Sequence, residues 1–112
     1  MKRGDIYFAD LDPTIGSEIR KKRPVLIVSN DANNRVSNTI TVVPITSNTT
    51  KVYHFEVLLK MKDTGLQKHS KAQCHQIRTI SKLRIQGKRK GQVQESLMSQ
   101  IDHALKIHLA LL

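Results

Sequence analysis

The run Val25-Leu26-Ile27-Val28 is apolar at every position, with the basic residues Arg20 to Arg23 and Pro24 before it and the polar Asn30-Asp31-Ala32-Asn33-Asn34 after it. Pro24 to Ser29, the continuous run with turn-forming residues following it, has the length of a central strand. A second stretch, Thr39 to Ile45, is rich in β-branched residues and reads as another strand, ending in Pro44-Ile45-Thr46-Ser47. If the two strands are neighbours, the guanidinium of Arg23 and the hydroxyl of Thr46 arrive at one edge of a small sheet.

The rest of the chain supplies more strands of the same size. Asp5 to Leu11 is a strand of mixed burial closed by Asp12-Pro13, a pair that cannot continue a ladder. A loop from Thr14 to Lys22 has Gly16 at its middle, and Asn30 to Asn34 is a loop or short helical turn. Val52 to Leu59 predicts a further strand, Asp63-Thr64-Gly65 a turn, and Ser70 to Ile80 a fifth strand carrying Gln73, His75, Gln76 and Arg78. Of the aromatic residues, Phe8 and Phe55 are expected in the core. Helical periodicity enters only at the end, where Leu97, Ile101, Leu105, Leu109 and Leu112 recur at helical spacing and predict an amphipathic helix of about five turns. The pattern is mainly β with a C-terminal α-helix, an α+β arrangement in which a small, strongly bent antiparallel sheet or barrel is capped by the helix. With 112 residues there is room for one core, so residues 1–112 are expected to form a single domain.

Nineteen Lys and Arg against nine Asp and Glu leave a net charge of +10, which points to a polyanionic or acidic partner, nucleic acid first. The cations fall into two clusters, Arg20 to Arg23 and Lys82, Arg84, Lys88, Arg89, Lys90, both outside the apolar runs and so expected to reach solvent. A lone Cys74 excludes an internal disulfide, and Lys2-Arg3 leads into Gly4-Asp5 and not into an apolar signal segment, so a cytosolic protein is expected. One cysteine and five histidines form neither a CxxC pair nor a helical HxxxH, which argues against a zinc site, and no glycine-rich phosphate loop occurs. Chemistry without a metal or other cofactor is therefore expected.

Several short motifs carry a resemblance. Arg3-Gly4-Asp5-Ile6-Tyr7, Asp10-Leu11-Asp12-Pro13, Gly16-Ser17-Glu18, Arg23-Pro24-Val25-Leu26-Ile27, Pro44-Ile45-Thr46-Ser47 and Gln76-Ile77-Arg78-Thr79-Ile80 stand in the order seen in the MazF/PemK (Kid) toxins of type II toxin–antitoxin systems. In this respect the chain resembles that family over nearly its whole length. The resemblance implies an SH3-like small barrel with a C-terminal helix, the PemK/CcdB-like toxin fold. It also implies a homodimer that cuts single-stranded RNA at short sequences without a metal. Such enzymes use the ribose 2′-OH as nucleophile and leave 2′,3′-cyclic phosphate and 5′-OH ends, and an antitoxin with an acidic flexible segment holds them off.

On the same resemblance Arg23 looks like the catalytic arginine and Thr46 like its partner hydroxyl. An arginine keeps its proton at pH 7, so its planar fork of donors suits stabilisation of phosphate charge first and proton donation second. Thr46 would donate to a non-bridging phosphate oxygen. The base that takes the 2′-OH proton is left between Glu18, in the Gly-Ser-Glu loop, and His75, whose imidazole type titrates near ~6.5. His75 stands where the Kid branch carries an aspartate, Gln73 where it carries an arginine, and Ser17 where it carries a histidine, so a Kid-type catalytic set is not expected. Ser17, Lys22, Ser47, Gln76 and Arg84 are candidates for RNA contacts, by phosphate pairing or by hydrogen bonds to base edges. The competing class is a non-catalytic basic barrel that grips nucleic acid, or a gyrase-targeting toxin of the same fold.

Overall fold

The computed structural model describes residues 1–111. Seven antiparallel strands form the body: β1 (Asp5–Asp10), β2 (Lys22–Ile27), β3 (Thr39–Thr46), β4 (Glu56–Leu59), β5 (Ser70–Gln73), β6 (Arg78–Ser81) and β7 (Ile85–Gln92). Helix α1 (Asp31–Val36) joins β2 to β3, α2 (Met61–Thr64) follows β4, and α3 (Glu95–Leu109) closes the chain. The strand order is β4-β5-β3-β2-β1-β7, with β6 also paired to β3.

Strand β3 is the longest internal element and holds two partners on one side, β6 along Thr39–Val42 and β5 at Ile45 and Thr46. Five strands therefore run β7-β1-β2-β3-β6, and the outer two are joined only by the 3₁₀ turn Lys82–Arg84. In a flat sheet β6 and β7 would be about 19 Å apart at ~4.8 Å per strand, more than the ~14 Å that so short a connection spans. The sheet has to curl on itself, which makes the barrel.

The curl gives β2 two covered faces. Val25 and Ile27 join Ala9, Leu11, Ile40, Val42 and Ile80 inside the barrel. Leu26 faces the other way, with Ile6, Val43, Ile45 and Leu59, under Met98, Ile101 and Ala104 of α3. An unbroken apolar strand follows from burial on both sides. Helix α3 spans fifteen residues, about four turns and not five. Of its expected apolar stripe, Ile101 is buried, Leu97 and Leu105 pack against the core, Leu109 is exposed, and Leu112 lies outside the described residues.

Three expectations change. The predicted strand Val52–Leu59 begins only at Glu56, because a turn closed by the Glu56 N–H on the Tyr53 carbonyl precedes it. The predicted strand Ser70–Ile80 is broken by a 3₁₀ turn, Cys74–Gln76, which lets β5 and β6 serve different halves of β3. Strand β7 has no apolar alternation and is made by pairing with β1, not by its own sequence. Within it, Gln86 pairs with Phe8 and Gly91 with Ile6, so Gly87 to Lys90 bulge out opposite Tyr7 alone, with Gly87 at a left-handed φ of 76°. The second basic cluster is thereby split. Lys88, Arg89 and Lys90 are exposed, whereas Lys82 and Arg84 are half-buried and donate to backbone carbonyls.

Gly91 is the one glycine with no room for a side chain, since a Cβ there would overlap the Thr64 carbonyl oxygen. Gly91→Ala should destabilise the fold by about 1–3 kcal/mol through displacement of α2 from β7. Denaturant titration against wild type checks this, and an unchanged midpoint would mean that α2 moves freely.

Candidate active site

The ladder between β2 and β3 runs Ile27↔Val42, Leu26↔Val43 and Val25↔Pro44. Arg23 and Thr46 stand two residues beyond the last rung on their strands, where the same register, continued, sets them opposite one another. Thr46 is paired on its other side with Lys71 of β5, and Arg23 with Ala9 of β1. The neighbouring row, Phe8, Pro24 and Ile45, forms the floor of a groove of about 760 Å³ that Arg23, Thr46 and Ser47 also line. Lys22, Lys68 and Lys90 complete its charged wall, and among the described residues no carboxylate lines it.

Each of the two central groups is held from behind. Arg23 is half-buried, and its Nε donates to the Arg20 carbonyl at 2.8 Å. This fixes the plane of the guanidinium while its Nη atoms have no hydrogen-bonded protein acceptor among the described residues. Partial removal from water lowers the Arg23 pKa from its ordinary value, a direction that favours giving up a proton. The chain enters β2 through Lys21 at a left-handed φ of 73°, a conformation costly for a side-chain-bearing residue, at the foot of Arg23. The Thr46 hydroxyl oxygen accepts the Asn48 N–H at 3.3 Å, so its own proton is free to be donated into the groove.

The loop before Arg23 is fastened by Gln76. Its amide nitrogen donates to the Ser17 carbonyl and its amide oxygen accepts the Ile19 N–H, both at 3.3 Å. The segment after Thr46 is fastened by a buried ion pair. The Lys71 ammonium donates to Glu56 at 3.0 Å and to the Lys51 carbonyl at 2.6 Å, and the same Glu56 oxygen accepts the Tyr53 N–H at 3.0 Å. Burial works against the Glu56 charge, but the Tyr53 N–H and the Lys71 ammonium outweigh it and hold the carboxyl below its ordinary range.

Of the residues singled out in the sequence, the groove therefore unites Arg23, Thr46, Lys22 and Ser47. Glu18, Ser17, Gln76, Arg84 and His75 are not among its lining residues. Glu18 is exposed in the β1–β2 loop and accepts the Ile15 N–H at 2.8 Å. Ser17 is exposed on the same loop, and its carbonyl is the one that Gln76 holds. Arg84 donates to the Asp10 and Asp12 carbonyls beside the cis Asp12–Pro13 peptide, and Arg78 adds a bond to the Leu11 carbonyl. Arg84 and Gln76 thus hold backbone with the polar atoms expected to contact RNA. His75 packs its ring 4.4 Å from Phe55 and 6.5 Å from His108, with Nδ1 buried and unpartnered. Burial pushes its pKa down, only partly offset by Glu56, while His108 and Lys71 lower it further. Cys74 beside it is buried, and its thiol is pushed up to about 12 by burial and by Glu56, so it stays protonated.

Two expectations about aromatic residues also change. Phe55 is half-buried in a stack with Tyr53, and Phe8 is exposed on the groove floor. Lys68 and Lys90 were not legible as site residues. Lys90 comes from the bulge of a strand that has no apolar signature, and Lys68 from the loop after the left-handed Gly65 that ends α2.

The sequence profile of the PemK-like, MazF-like toxins of type II toxin–antitoxin systems matches residues 2–109. The chain belongs to this family. It is 47% identical over 116 residues to "Endoribonuclease MazF9" of Mycobacterium tuberculosis, covering 99% of this chain and 98% of the relative. It is 42% identical to "Endoribonuclease EndoA" of Bacillus subtilis, covering 100% and 97%. Among solved structures, a mycobacterial endoribonuclease in complex with its cognate antitoxin superposes with a TM-score of 0.81 at 28% identity, covering 100% of this chain and 97% of that one. The PemK/MazF framework thus spans the barrel, both strands that carry Arg23 and Thr46, and α3. Among the described residues no helix is long and apolar enough to cross a membrane.

Two measurements test the supports of this site. Lys71→Met should cost about 3–5 kcal/mol by leaving the Glu56 carboxylate buried and unpaired, and Lys71→Met with Glu56→Leu should recover much of that loss. Denaturant unfolding of both variants checks it, and a cheap single substitution would mean that water replaces the ammonium. The second measurement concerns His75, whose neutral form the fold favours. Its contribution to stability is complete above the unfolded-state value of ~6.5 and is lost as the pH falls below it. Unfolding midpoints between pH 7.5 and 5 should therefore fall less steeply in His75→Phe than in wild type.

Proposed function

We propose that this protein is a sequence-specific, metal-independent endoribonuclease, an mRNA interferase toxin of a type II toxin–antitoxin system. The observation that carries the reading is that Arg23 and Thr46, at the ends of neighbouring strands, share one groove walled by cations, with no carboxylate of the described residues in it. A groove of that charge suits a phosphodiester backbone, and the paired guanidinium and hydroxyl suit one phosphate of it. The endoribonuclease names of full-length relatives at 40–47% identity support the same activity.

In this mechanism the 2′-OH of the ribose attacks the adjacent phosphorus, and the bond to the 5′-oxygen of the next nucleotide breaks. The products are a 2′,3′-cyclic phosphate and a 5′-OH end. The free Nη donors of Arg23 bind the charge that builds on the non-bridging oxygens, and partial burial strengthens that interaction relative to water. The same guanidinium, with its lowered pKa, is the donor for the departing 5′-oxygen. Thr46 adds one hydrogen bond to a non-bridging oxygen. Glu18 is assigned the 2′-OH proton; it lies outside the groove, accepting the Ile15 N–H, and this role requires its loop, whose Arg20 carbonyl holds Arg23, to move toward the bound ribose. His75 is not assigned a proton-transfer role, since its ring is packed between Phe55 and His108.

The partner that inhibits this activity is an acidic antitoxin segment, for which the net charge of +10 and the cationic groove are complementary. A homodimer is the working unit, and the exposed Ile107, Leu109 and Leu111 near the end of α3 offer apolar surface for it. The cytoplasm, where messenger RNA is translated, is the compartment this function requires.

Purified protein incubated with a long RNA in EDTA should cut it and leave 5′-OH termini that a polynucleotide kinase labels without prior phosphatase. Arg23→Ala and Thr46→Val should each lower the rate by about 10²–10³ while keeping the wild-type fold by circular dichroism. Glu18→Gln should reduce kcat more than it changes KM. RNA left intact would favour a non-catalytic nucleic-acid-binding barrel, and cleavage that requires Mg²⁺ would overturn the metal-independent mechanism.

A further inference from the structure

Phe8 is a large apolar side chain that folding leaves uncovered. It sits in the middle of β1 with Ile6 and Ala9 fully buried near it, yet it is 37% exposed and belongs to neither apolar cluster. Across the sheet it is paired with Pro24, the residue after Arg23, and on the other side with Gln86. Strand β7 leaves the ladder directly after Gln86 and returns only at Gly91, so the sheet is interrupted beside the ring. The ring lies in the same groove as Arg23 and Thr46, one strand position from the row that holds them.

The surroundings identify what would cover it. Lys22, Lys68 and Lys90 line the groove with no carboxylate among the described residues there, so the occupant is a polyanion, and the apolar floor asks for a flat apolar group attached to that polyanion. A nucleobase has this character, and aromatic rings stack on every base whatever its identity. Gln67, exposed on the α2–β5 loop and lining the same groove, presents an amide able to bond a base edge. We propose that Phe8 is the stacking platform for the base of a nucleotide flanking the scissile phosphate, and that Gln67 reads that base. The proposal rests on the endoribonuclease reading and adds a specificity element to it.

The test uses a short RNA spanning a cut mapped for the wild-type protein, with each nucleotide next to the cut replaced in turn by an abasic ribose. At one position the abasic substrate should lower wild-type kcat/KM by roughly five- to a hundredfold, the range of one base–aromatic stack. Phe8→Ala should show the same loss on the intact RNA and no further loss on that abasic RNA, while Phe8→Trp retains activity. Gln67→Ala should change which base is preferred at that position. Where Phe8→Ala does not fold, Phe8→Leu keeps the apolar bulk and removes the stacking face. Equal losses on intact and abasic RNA, or no loss at all, would overturn the assignment. Wild-type protein that cuts no RNA would instead overturn the nuclease reading. Stacking is then read by quenching of 2-aminopurine in a bound oligonucleotide, which should weaken in Phe8→Leu and refutes the platform if it does not.

Discussion

The site depends on the register between β2 and β3. Every rung from Ile27↔Val42 to Val25↔Pro44 is apolar and buried, so a slip by one residue would exchange the side chains inside the barrel with those under α3 and spoil the packing of both clusters. That constraint, made for packing, carries Arg23 and Thr46 into opposition two residues beyond the last rung. Pro44, in the last recorded rung, has no N–H to donate to the ladder. The proposed catalytic pair, at the open end of a rigid ladder, is placed by the core without being part of it.

Around that pair the chain spends its polar side chains on holding loops. Gln76 and the Arg20 carbonyl hold the segment that leads to Arg23, while Lys71 and Glu56 hold the one that leaves Thr46. Arg78 and Arg84 hold the end of β1 in the same manner. A strongly basic protein thus uses cations in two ways. Arg78, Lys82 and Arg84 are half-buried and hold backbone carbonyls, whereas Lys22, Lys68 and Lys90 are exposed in the wall of the groove.

Much of this was legible in sequence. The core strands carry β-branched runs bounded by turn residues, α3 has a helical apolar period, and Arg23 with Thr46 could be placed at one sheet edge from those signals alone. Strand β7 was not legible, because its residues Ile85 to Gln92 are nearly all polar and exposed, and pairing with β1 makes the strand. The break at Cys74–Gln76 was hidden for the opposite reason, since the residues on both sides of it have the composition of one continuous strand.

Composition, periodicity and motif order by themselves determined the mainly β class, the terminal helix, the polyanionic partner and the two residues of the proposed chemistry. Those properties are local, written in residue type and spacing. Only the tertiary structure decided that Phe8 faces a groove and not the core, that His75 is packed against rings, and that Gln76 and Arg84 bind backbone. The physical reason is that each of these outcomes depends on which distant segment lies over a side chain, and a curled sheet sets that by closure and not by sequence neighbourhood.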